Sequence, residues 1–175
     1  MKKVFFAVLG IIAVSLVVYI ILGGFRSPQI SLKSSDYVVP IKGKWFDGRF
    51  DNDTIRLMFE EVRAMVNDPK EAVAIHYPQE PRGVKDTLRQ FIGIKALAGK
   101  PITKKGYEGL PPTWQQQQYI SVYITSHPLV FPGPEDIRSM AADFANTSGL
   151  QLLPGSIELY YPNNQLEVLI PATQP

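Results

Sequence analysis

An uninterrupted apolar run near the N-terminus constrains this chain more than any other feature. Residues 4–22, VFFAVLGIIAVSLVVYIIL, contain no charged side chain. A helix needs about 20 apolar residues to cross a bilayer, whereas a cleaved secretory signal has an apolar core of about 7 to 15 residues and an A-x-A-like exit. The run is too long for such a core, and its exit, LGGFRSPQ, is poor. We therefore predict an uncleaved anchor over residues 1–24 that contacts the lipid bilayer through residues 4–22.

The charges that flank this run bear on its orientation. Lys2 and Lys3 precede it, whereas Arg26 and Lys33 follow it. Positive residues are retained preferentially on the cytoplasmic side of a membrane, and the α-amino group adds to the N-terminal charge. The sequence predicts a single-pass membrane protein whose domain lies outside the cytoplasmic membrane or in the equivalent lumenal space.

The charge of the remaining chain bears on its partners. From residue 27 onward, 15 Lys and Arg stand against 16 Asp and Glu. Nucleic-acid binding needs clustered cations that replace phosphate counterions, so we expect no nucleic-acid partner. The chain contains no cysteine, which excludes disulfides, thiolate metal sites and cysteine nucleophiles. His76 and His127 are isolated from other ligands at metal spacing, and we expect no metal site and no cofactor.

A polar segment separates the anchor from the rest of the chain. Residues 25–36, FRSPQISLKSSD, are polar and contain a proline. This composition is typical of a short tether between a membrane and a domain. We predict that the folded domain begins at Tyr37 and extends over residues 37–172.

The first part of this domain has the pattern strand, helix, strand, strand. YVVPIKGKWF reads as a strand, and a helix follows from Thr54, with Asn52 or Asp53 as its cap and Asp68-Pro69 as its end. The helix has apolar residues at i, i+3, i+4 and i+7 spacing, namely Ile55, Met58, Phe59, Val62 and Met65. EAVAIHYP and TLRQFIGIKAL complete repeat one, residues 37–96. Residues 97–117, rich in Gly, Pro and Gln, read as a crossover.

The pattern then starts again in repeat two, residues 118–172. YISVYITS reads as a strand, a second helix begins near Pro134 and is capped by Gly149, and a hairpin over 155–172 closes the chain. AIHYP at 74–78 and ELYYP at 158–162 occupy equivalent places, which aligns Ala74 with Glu158. The predicted fold is α+β: two tandem β-α-β-β repeats with pseudo-twofold symmetry, antiparallel sheets, two main helices and a cleft between the repeats.

The last hairpin carries a carboxylate among aromatic residues. In SIELYY, alternation puts Ile157, Leu159 and Tyr161 on a core face and Ser156, Glu158 and Tyr160 on the other. A carboxylate in an aromatic pocket attracts cationic, partly apolar ligands. Burial would also raise the pKa of Glu158 and suit it to acid–base chemistry. The alternative is a solvated strand residue that pairs with a cross-strand Lys or Arg.

These motifs resemble the GyrI-like small-molecule-binding domain, which is the effector-binding domain of AraC-type and MerR-type regulators and is related to SOUL haem-binding proteins. The resemblance covers residues 37–172. It rests on the duplicated unit, GKWFDGRFDND before the first helix, FIGI at 91–94 and IELYYPNNQLEVLIPA at the end. It implies a ligand cleft between two repeats that is lined by aromatics and by one buried glutamate.

Site residues follow from this resemblance and from strand alternation. The family's glutamate and neighbouring tyrosine correspond to Glu158 and Tyr160. Alternation adds Tyr119 and Tyr123, on the non-core face of their strand. Repeat symmetry places His76 opposite Tyr160, and Trp45 near the end of the first strand is a further candidate.

Three functions are open at this point. The leading expectation is a membrane-anchored domain that binds a small cationic or amphipathic molecule through Glu158 and aromatics, more a binding protein than an enzyme. Some GyrI-like proteins hydrolyse strained cyclopropane-containing compounds with a carboxylate beside aromatics, which makes a hydrolase using Glu158 the alternative. The third is a membrane-tethered protein-interaction module. The chain has no DNA-binding module beside the domain, so transcriptional control is not expected, and the sequence leaves the oligomeric state open.

Overall fold

Three helices and nine strands make up the described part of the chain. The computed structural model describes residues 2–34, 40–49, 51–78, 87–97, 102–111 and 118–175. The helices are α1 Lys2–Ile21, α2 Asp53–Arg63 and α3 Pro134–Thr147. The strands are β1 Gln29–Lys33, β2 Ile41–Gly48, β3 Ala72–Tyr77, β4 Leu88–Lys95, β5 Glu108–Gly109, β6 Gln118–Thr125, β7 Gln151–Leu152, β8 Ser156–Tyr161 and β9 Gln165–Thr173.

All strands pair antiparallel in one sheet. Its order is β1-β6-β9-β8-β3-β4-β2-β5, and β7 pairs with β9. The first half of the domain is β2-α2-β3-β4, and the second half, apart from the short β7, is β6-α3-β8-β9. The halves meet where β3 pairs with β8, with Ile75 opposite Glu158. The α+β class and the antiparallel pairing predicted from the sequence are confirmed.

Both α2 and α3 pack on the same face of this sheet, which we call the helix face. Under α2, Val62 contacts a cluster with Val73 and Ile92. Under α3, the buried Ile137 and Ala141 belong to a cluster on β6 and β9. Each large apolar side chain buried in this way contributes about 1.5–3 kcal/mol. The helix face therefore holds both helices of the domain in place.

The opposite face, which we call the inner face, is buried as well. It is formed by the alternate residues of the same strands, such as Ala74, Phe91, Tyr119, Ile157 and Leu169, which are fully buried in one cluster. The cross-strand pairs show to which face each residue belongs, because directly opposed residues lie on the same side of a sheet. The central strands are consequently covered on both sides.

A pair of glycines permits a close approach between β2 and β4. Gly43 is directly opposite Gly93 on the inner face. A Cβ atom on Gly43 would collide with the backbone carbonyl of Ile92, and one on Gly93 with that of Lys42. Only glycine fits this contact without a shift of the backbone.

The predicted helix signals are largely confirmed. Asn52 caps α2, and its side-chain oxygen accepts from Thr54 N at 2.9 Å. Pro134 is the first residue of α3, and Gly149 follows its end with φ +66°. The end of α2 is the exception, because this helix stops at Arg63, before Asp68-Pro69.

Two predicted linkers contain strands. Within the predicted tether, residues 29–33 form β1, which pairs with β6 over its whole length. The tether prediction is wrong there, because the polar residues alternate with Ile30 and Leu32 and make an ordinary edge strand. Within the predicted crossover, β5 pairs with Lys42 and Gly43 of β2. The predicted start at Tyr37 lies outside the described residues.

The N-terminal helix stands apart from this packing. Helix α1 is long and apolar enough to cross a membrane over Val4–Ile21. Its large apolar side chains, such as Phe6, Ile11 and Ile21, are exposed. An apolar helix with nothing packed on it needs an apolar environment.

Candidate functional site

Glu158 lies at the centre of the sheet, on the helix face. Its cross-strand neighbours are Ile75 on β3 and Val168 on β9. The predicted alternation of β8 is confirmed, because Ile157 and Leu159 are fully buried in the inner-face cluster. The hairpin that leads into β9 turns at Asn164, with φ 55°. Glu158 thus lies on the helix face between the areas covered by α2 and by α3, a strip that we call the groove.

Tyr160 lies beside Glu158 on the helix face of β8. Its hydroxyl donates a hydrogen bond to Glu158 Oε2 at 2.7 Å. Its ring packs against the clusters under both helices, and it meets Phe59 of α2 edge-on at 6.1 Å between centroids. Glu158 and Tyr160, the two residues carried over from the family resemblance, are therefore adjacent and hydrogen-bonded.

Few groups stabilise the negative charge of the Glu158 carboxylate. Burial raises its pKa above the ordinary value of a glutamate, and the hydrogen bond from Tyr160 only partly offsets this. No Lys or Arg of the described chain forms an ion pair with it. Burial, reinforced by the charge of Glu158, raises the pKa of Tyr160 and of Tyr77 as well. Both tyrosines consequently remain protonated donors at neutral pH.

A pocket opens at the N-terminal end of α2, and Glu158 itself is not among its lining residues. Its volume is about 430 Å³, and its lining includes Ile75, the cross-strand neighbour of Glu158, with Tyr77 and Phe59. Small-molecule sites commonly measure about 300–1,000 Å³ and are mostly apolar with a few polar groups. The pocket fits that description.

Gln90 supplies an unsatisfied donor in this pocket. It is only 2% exposed, it lines the pocket, and its Nε2 has no hydrogen-bond partner among the residues described. Gln90 was not among the site residues predicted from the sequence. The available signal was its position in LRQFIGI, where Gln90 interrupts the apolar row formed with Leu88 and Ile92. Buried amides are normally paired, so this donor invites an acceptor from a bound molecule.

The other four candidate residues lie on the opposite face of the sheet from Glu158. Trp45, His76, Tyr119 and Tyr123 all project to the inner face, as their cross-strand pairs show. The expectation that His76 lies opposite Tyr160 is wrong, because His76 pairs with Ile157 whereas Tyr160 pairs with Val73. The sheet separates these four side chains from the groove.

Three of these residues serve the inner-face packing. Trp45 meets Phe91 edge-on at 5.3 Å. His76 Nδ1 donates to the carbonyl oxygen of Ser156 at 3.0 Å, and burial lowers the pKa of His76 to about 4, which keeps its ring neutral. Tyr119 was expected on a non-core face and is instead fully buried. Burial raises its pKa to about 12, and no residue described here bonds its hydroxyl.

Glu167 is a buried carboxylate on the inner face, on the opposite side of the sheet from Glu158. Ser121 Oγ and Tyr161 OH donate to its two oxygens at 2.7 and 3.0 Å, and Lys33 Nζ lies 3.7 Å away. Lys95 Nζ donates to Tyr161 OH at 2.6 Å. Glu167 is thus compensated by hydrogen bonds and by a cation, whereas Glu158 has Tyr160 alone among the described residues.

Metal ligands are not grouped in the described chain. No set of three or more His, Asp or Glu residues within the described ranges is placed to hold a metal ion. The polar groups here are those of Glu158 and Tyr160 on the helix face and those of Asp51, Asn52, Asp53, Arg56, Tyr77 and Gln90 around the pocket. This set suits an organic ligand better than a metal ion.

Comparisons with known proteins identify the fold. No protein-family model matches the chain, and no curated protein matches it significantly. The C-terminal domain of EcmrR is similar, with a TM-score of 0.53 and 13% identity over 86% of this chain and 100% of that domain. EcmrR in its DNA complex gives a TM-score of 0.53 at 12% identity over 85% of this chain, which spans 58% of that longer protein. An integron cassette protein from the mobile metagenome of Vibrio cholerae, VCH_CASS2, gives a TM-score of 0.46 at 12% identity, over 85% of this chain and 97% of its own length.

At this identity the likeness concerns the fold. The chain shares the α+β fold of the C-terminal domain of EcmrR and has in addition an apolar N-terminal helix.

Proposed function

We propose that this protein is a membrane-anchored small-molecule-binding domain of the GyrI-like type, and that its ligand is a cationic or amphipathic molecule. Helix α1 is the anchor, with the domain on the outer side of the cytoplasmic membrane. The ligand occupies the groove between α2 and α3, where its positive charge meets Glu158. The fold likeness to the EcmrR C-terminal domain supports a ligand-binding role.

The observation that carries this proposal is the unpaired charge of Glu158. Glu158 is partly removed from water and has no cation beside it among the described residues, so only the hydrogen bond from Tyr160 offsets its lost hydration, and removal of charge from water is costly. An organic cation in the groove restores the missing partner, and the rings of Tyr160 and Tyr77 add cation–π attraction of about 0.5–2 kcal/mol each. Glu167, on the other face, already has its cation in Lys33.

The pocket residues indicate which other chemical groups the ligand carries. Apolar atoms of the ligand pack against Ile75 and Phe59. An acceptor atom, such as a carbonyl or ether oxygen, takes the hydrogen bond that Gln90 Nε2 lacks. The ligand class is therefore an amphipathic organic cation with one hydrogen-bond acceptor.

The test compares matched ligands on full-length protein in an uncharged maltoside detergent, which carries no quaternary ammonium group. Benzyltrimethylammonium and a panel of larger aromatic quaternary ammonium ions are compared with neutral carbon isosteres, and binding is measured by calorimetry. Glu158→Gln removes the charge but keeps an acceptor for Tyr160. We expect this change to weaken cation binding about 10- to 100-fold, since hydrogen bonds and contacts to a charged group contribute about 1.5–3 kcal/mol.

The control is Glu108→Gln, on the exposed strand β5. It should leave the cation affinity unchanged. Equal binding of cations and isosteres, or a Glu158→Gln protein that binds cations as well as the parent, would refute the proposal.

A hydrolase is the second candidate, and the raised pKa of Glu158 is the observation that favours it. A carboxyl group of raised pKa beside two protonated tyrosines suits general acid–base catalysis. Incubation with strained or activated electrophiles, followed by chromatography of the products, distinguishes the two. Turnover that is lost in Glu158→Gln would assign an enzyme; cation binding without turnover would assign a binding protein.

A further inference from the structure

The segment between α1 and the sheet is bound to the domain. The backbone N–H of His127 donates to the carbonyl of Leu22 at 2.9 Å. The guanidinium of Arg26 donates to the carbonyl of Thr125, the last residue of β6, at 3.0 Å. Strand β1 then begins at Gln29. The end of α1 is therefore fixed against the end of β6 instead of hanging on a loose tether.

Local contacts also set the turn at the end of α1. Gly23 has a φ of +81°, and a Cβ on Gly24 would collide with the ring of Tyr19. The Tyr19 hydroxyl donates to the carbonyl of Gly24 at 2.8 Å, and its ring meets Phe25 edge-on at 5.1 Å. Because the turn requires these glycines and this ring, its direction is defined by the sequence.

Exposed apolar side chains surround this turn. Leu129 is 81% exposed and Phe25 is 69% exposed. Leu129 belongs to a short 3-10 turn, Pro128–Val130, that follows His127. We call Phe25 and Pro128–Val130 the junction surface. Large apolar side chains on such a surface indicate a membrane or another apolar partner.

We propose that the junction surface inserts into the headgroup region of the bilayer that α1 crosses. This inference rests on α1 being a membrane anchor. The lipid is its occupant because the surface is continuous with α1: the hydrogen bond from His127 to Leu22 holds the turn Pro128–Val130 at the helix end, where the interface lies. Arg26, at the same level, is placed to reach phosphate groups.

The test measures how deep single labelled positions lie in the membrane. The chain has no cysteine, so each introduced cysteine is the sole attachment site for an environment-sensitive fluorophore. The full-length protein is labelled at Leu129→Cys and reconstituted into phosphatidylcholine and phosphatidylglycerol vesicles. Lipids brominated near the headgroup quench a shallow label, and iodide quenches a label in water.

The matched control is Leu57→Cys, an exposed apolar position on α2, 55% exposed. We expect the label at 129 to be quenched several-fold more by the brominated lipids than the label at 57, and several-fold less by iodide. Equal quenching of the two labels would overturn the inference.

A third label, Ile12→Cys, separates this inference from the anchor itself. Ile12 lies midway along α1, where lipids brominated near the bilayer centre should quench it strongly. If the label at 12 is quenched and that at 129 is not, only the docking of the junction surface fails. If the label at 12 is not quenched, the anchor and the docking both fail.

Discussion

At the scale of single residues, the half-buried Glu158 on the helix face and the buried Glu167 on the inner face have different surroundings. Glu167 receives hydrogen bonds from Ser121 and Tyr161 and has Lys33 nearby. Glu158 receives one from Tyr160. The first arrangement satisfies a carboxylate within the protein. The second leaves one oxygen available and its charge uncompensated, as a binding group requires.

This difference predicts a pH dependence of ligand binding. A quaternary cation favours the ionised form of Glu158 and lowers its pKa in the complex, whereas burial raises that pKa in the free protein. Affinity should be constant above the free-state pKa and should fall, by up to about tenfold per pH unit, as the pH decreases below it. Because the pKa is raised, the decline should begin at a higher pH than for an ordinary glutamate.

Calorimetric titration between about pH 4 and pH 8 checks this prediction, since an unperturbed glutamate has a pKa of about 4.3. Tyr160 and Tyr77 do not ionise in this interval, because their pKa values are raised. The Glu158→Gln protein should show a flat profile at its lower affinity. A flat profile for the parent protein would contradict the role assigned to Glu158.

At the scale of strands and helices, the sequence predicted where helices and strands occur better than it predicted on which face of the sheet a residue lies. The helical spacing of Ile55, Phe59 and Val62 and the alternation of Ile157 and Leu159 depend on neighbouring residues, and both predictions are confirmed. The side on which a strand meets a ligand depends on pairing with distant strands. Since the central strands are buried on both faces, apolar residues occur on both, and alternation alone does not identify the helix face.

The aligned pentapeptides illustrate this limit. AIHYP and ELYYP place Ala74 in register with Glu158, yet Ala74 belongs to the inner-face cluster and Glu158 to the helix face. A slip of one residue moves every side chain to the other side of a sheet. The same ambiguity put Tyr119 and Tyr123 in the predicted cleft, although their pairing with Pro171 and Glu167 puts them on the inner face.

The opposed glycines of β2 and β4 give a prediction at this scale. Gly93→Ala places a methyl group against the carbonyl of Lys42. We expect the free energy of unfolding to decrease by about 1–3 kcal/mol, as for other overpacked sites, and the melting temperature to fall by about 2–4 °C per kcal/mol. Thermal unfolding followed by circular dichroism measures this.

The control for that change is Gly109→Ala on β5. An added Cβ there meets nothing within 4 Å. Its melting temperature should equal that of the parent within about 2 °C, since exposed substitutions change stability by less than about 0.5 kcal/mol. Equal effects of the two substitutions would show that the glycine pair is not a close contact.

At the scale of the whole molecule, strand β1 makes the segment after α1 part of the domain. It pairs with β6 over all its residues, Ile30 packs into the cluster under α3, and Lys33 approaches Glu167. The domain therefore includes the residues that directly follow α1. A fragment without α1 has to keep strand β1.

Two fragments without α1 test this point. One begins at Arg26 and keeps β1, and the other begins at Ser34 and lacks it. Loss of Ile30 burial alone should cost about 1.5 kcal/mol, and an uncovered β6 edge favours association. We expect the shorter fragment to melt at a lower temperature and to self-associate in sedimentation experiments. Equal melting temperatures and monomeric behaviour of both fragments would show that β1 is dispensable.

The direction of the strands places the pocket at the opposite end of the sheet from α1. Thr125, at the junction with α1, pairs with Gln165, which also pairs with Tyr161, whereas Tyr77 and Leu88 lie at the other ends of their strands and line the pocket. If α1 crosses the bilayer as proposed, the pocket mouth lies at the opposite ends of the strands, about 20 Å away along a six-residue strand. We then expect an amphipathic ligand to reach the pocket from the surrounding water and not from the lipid chains.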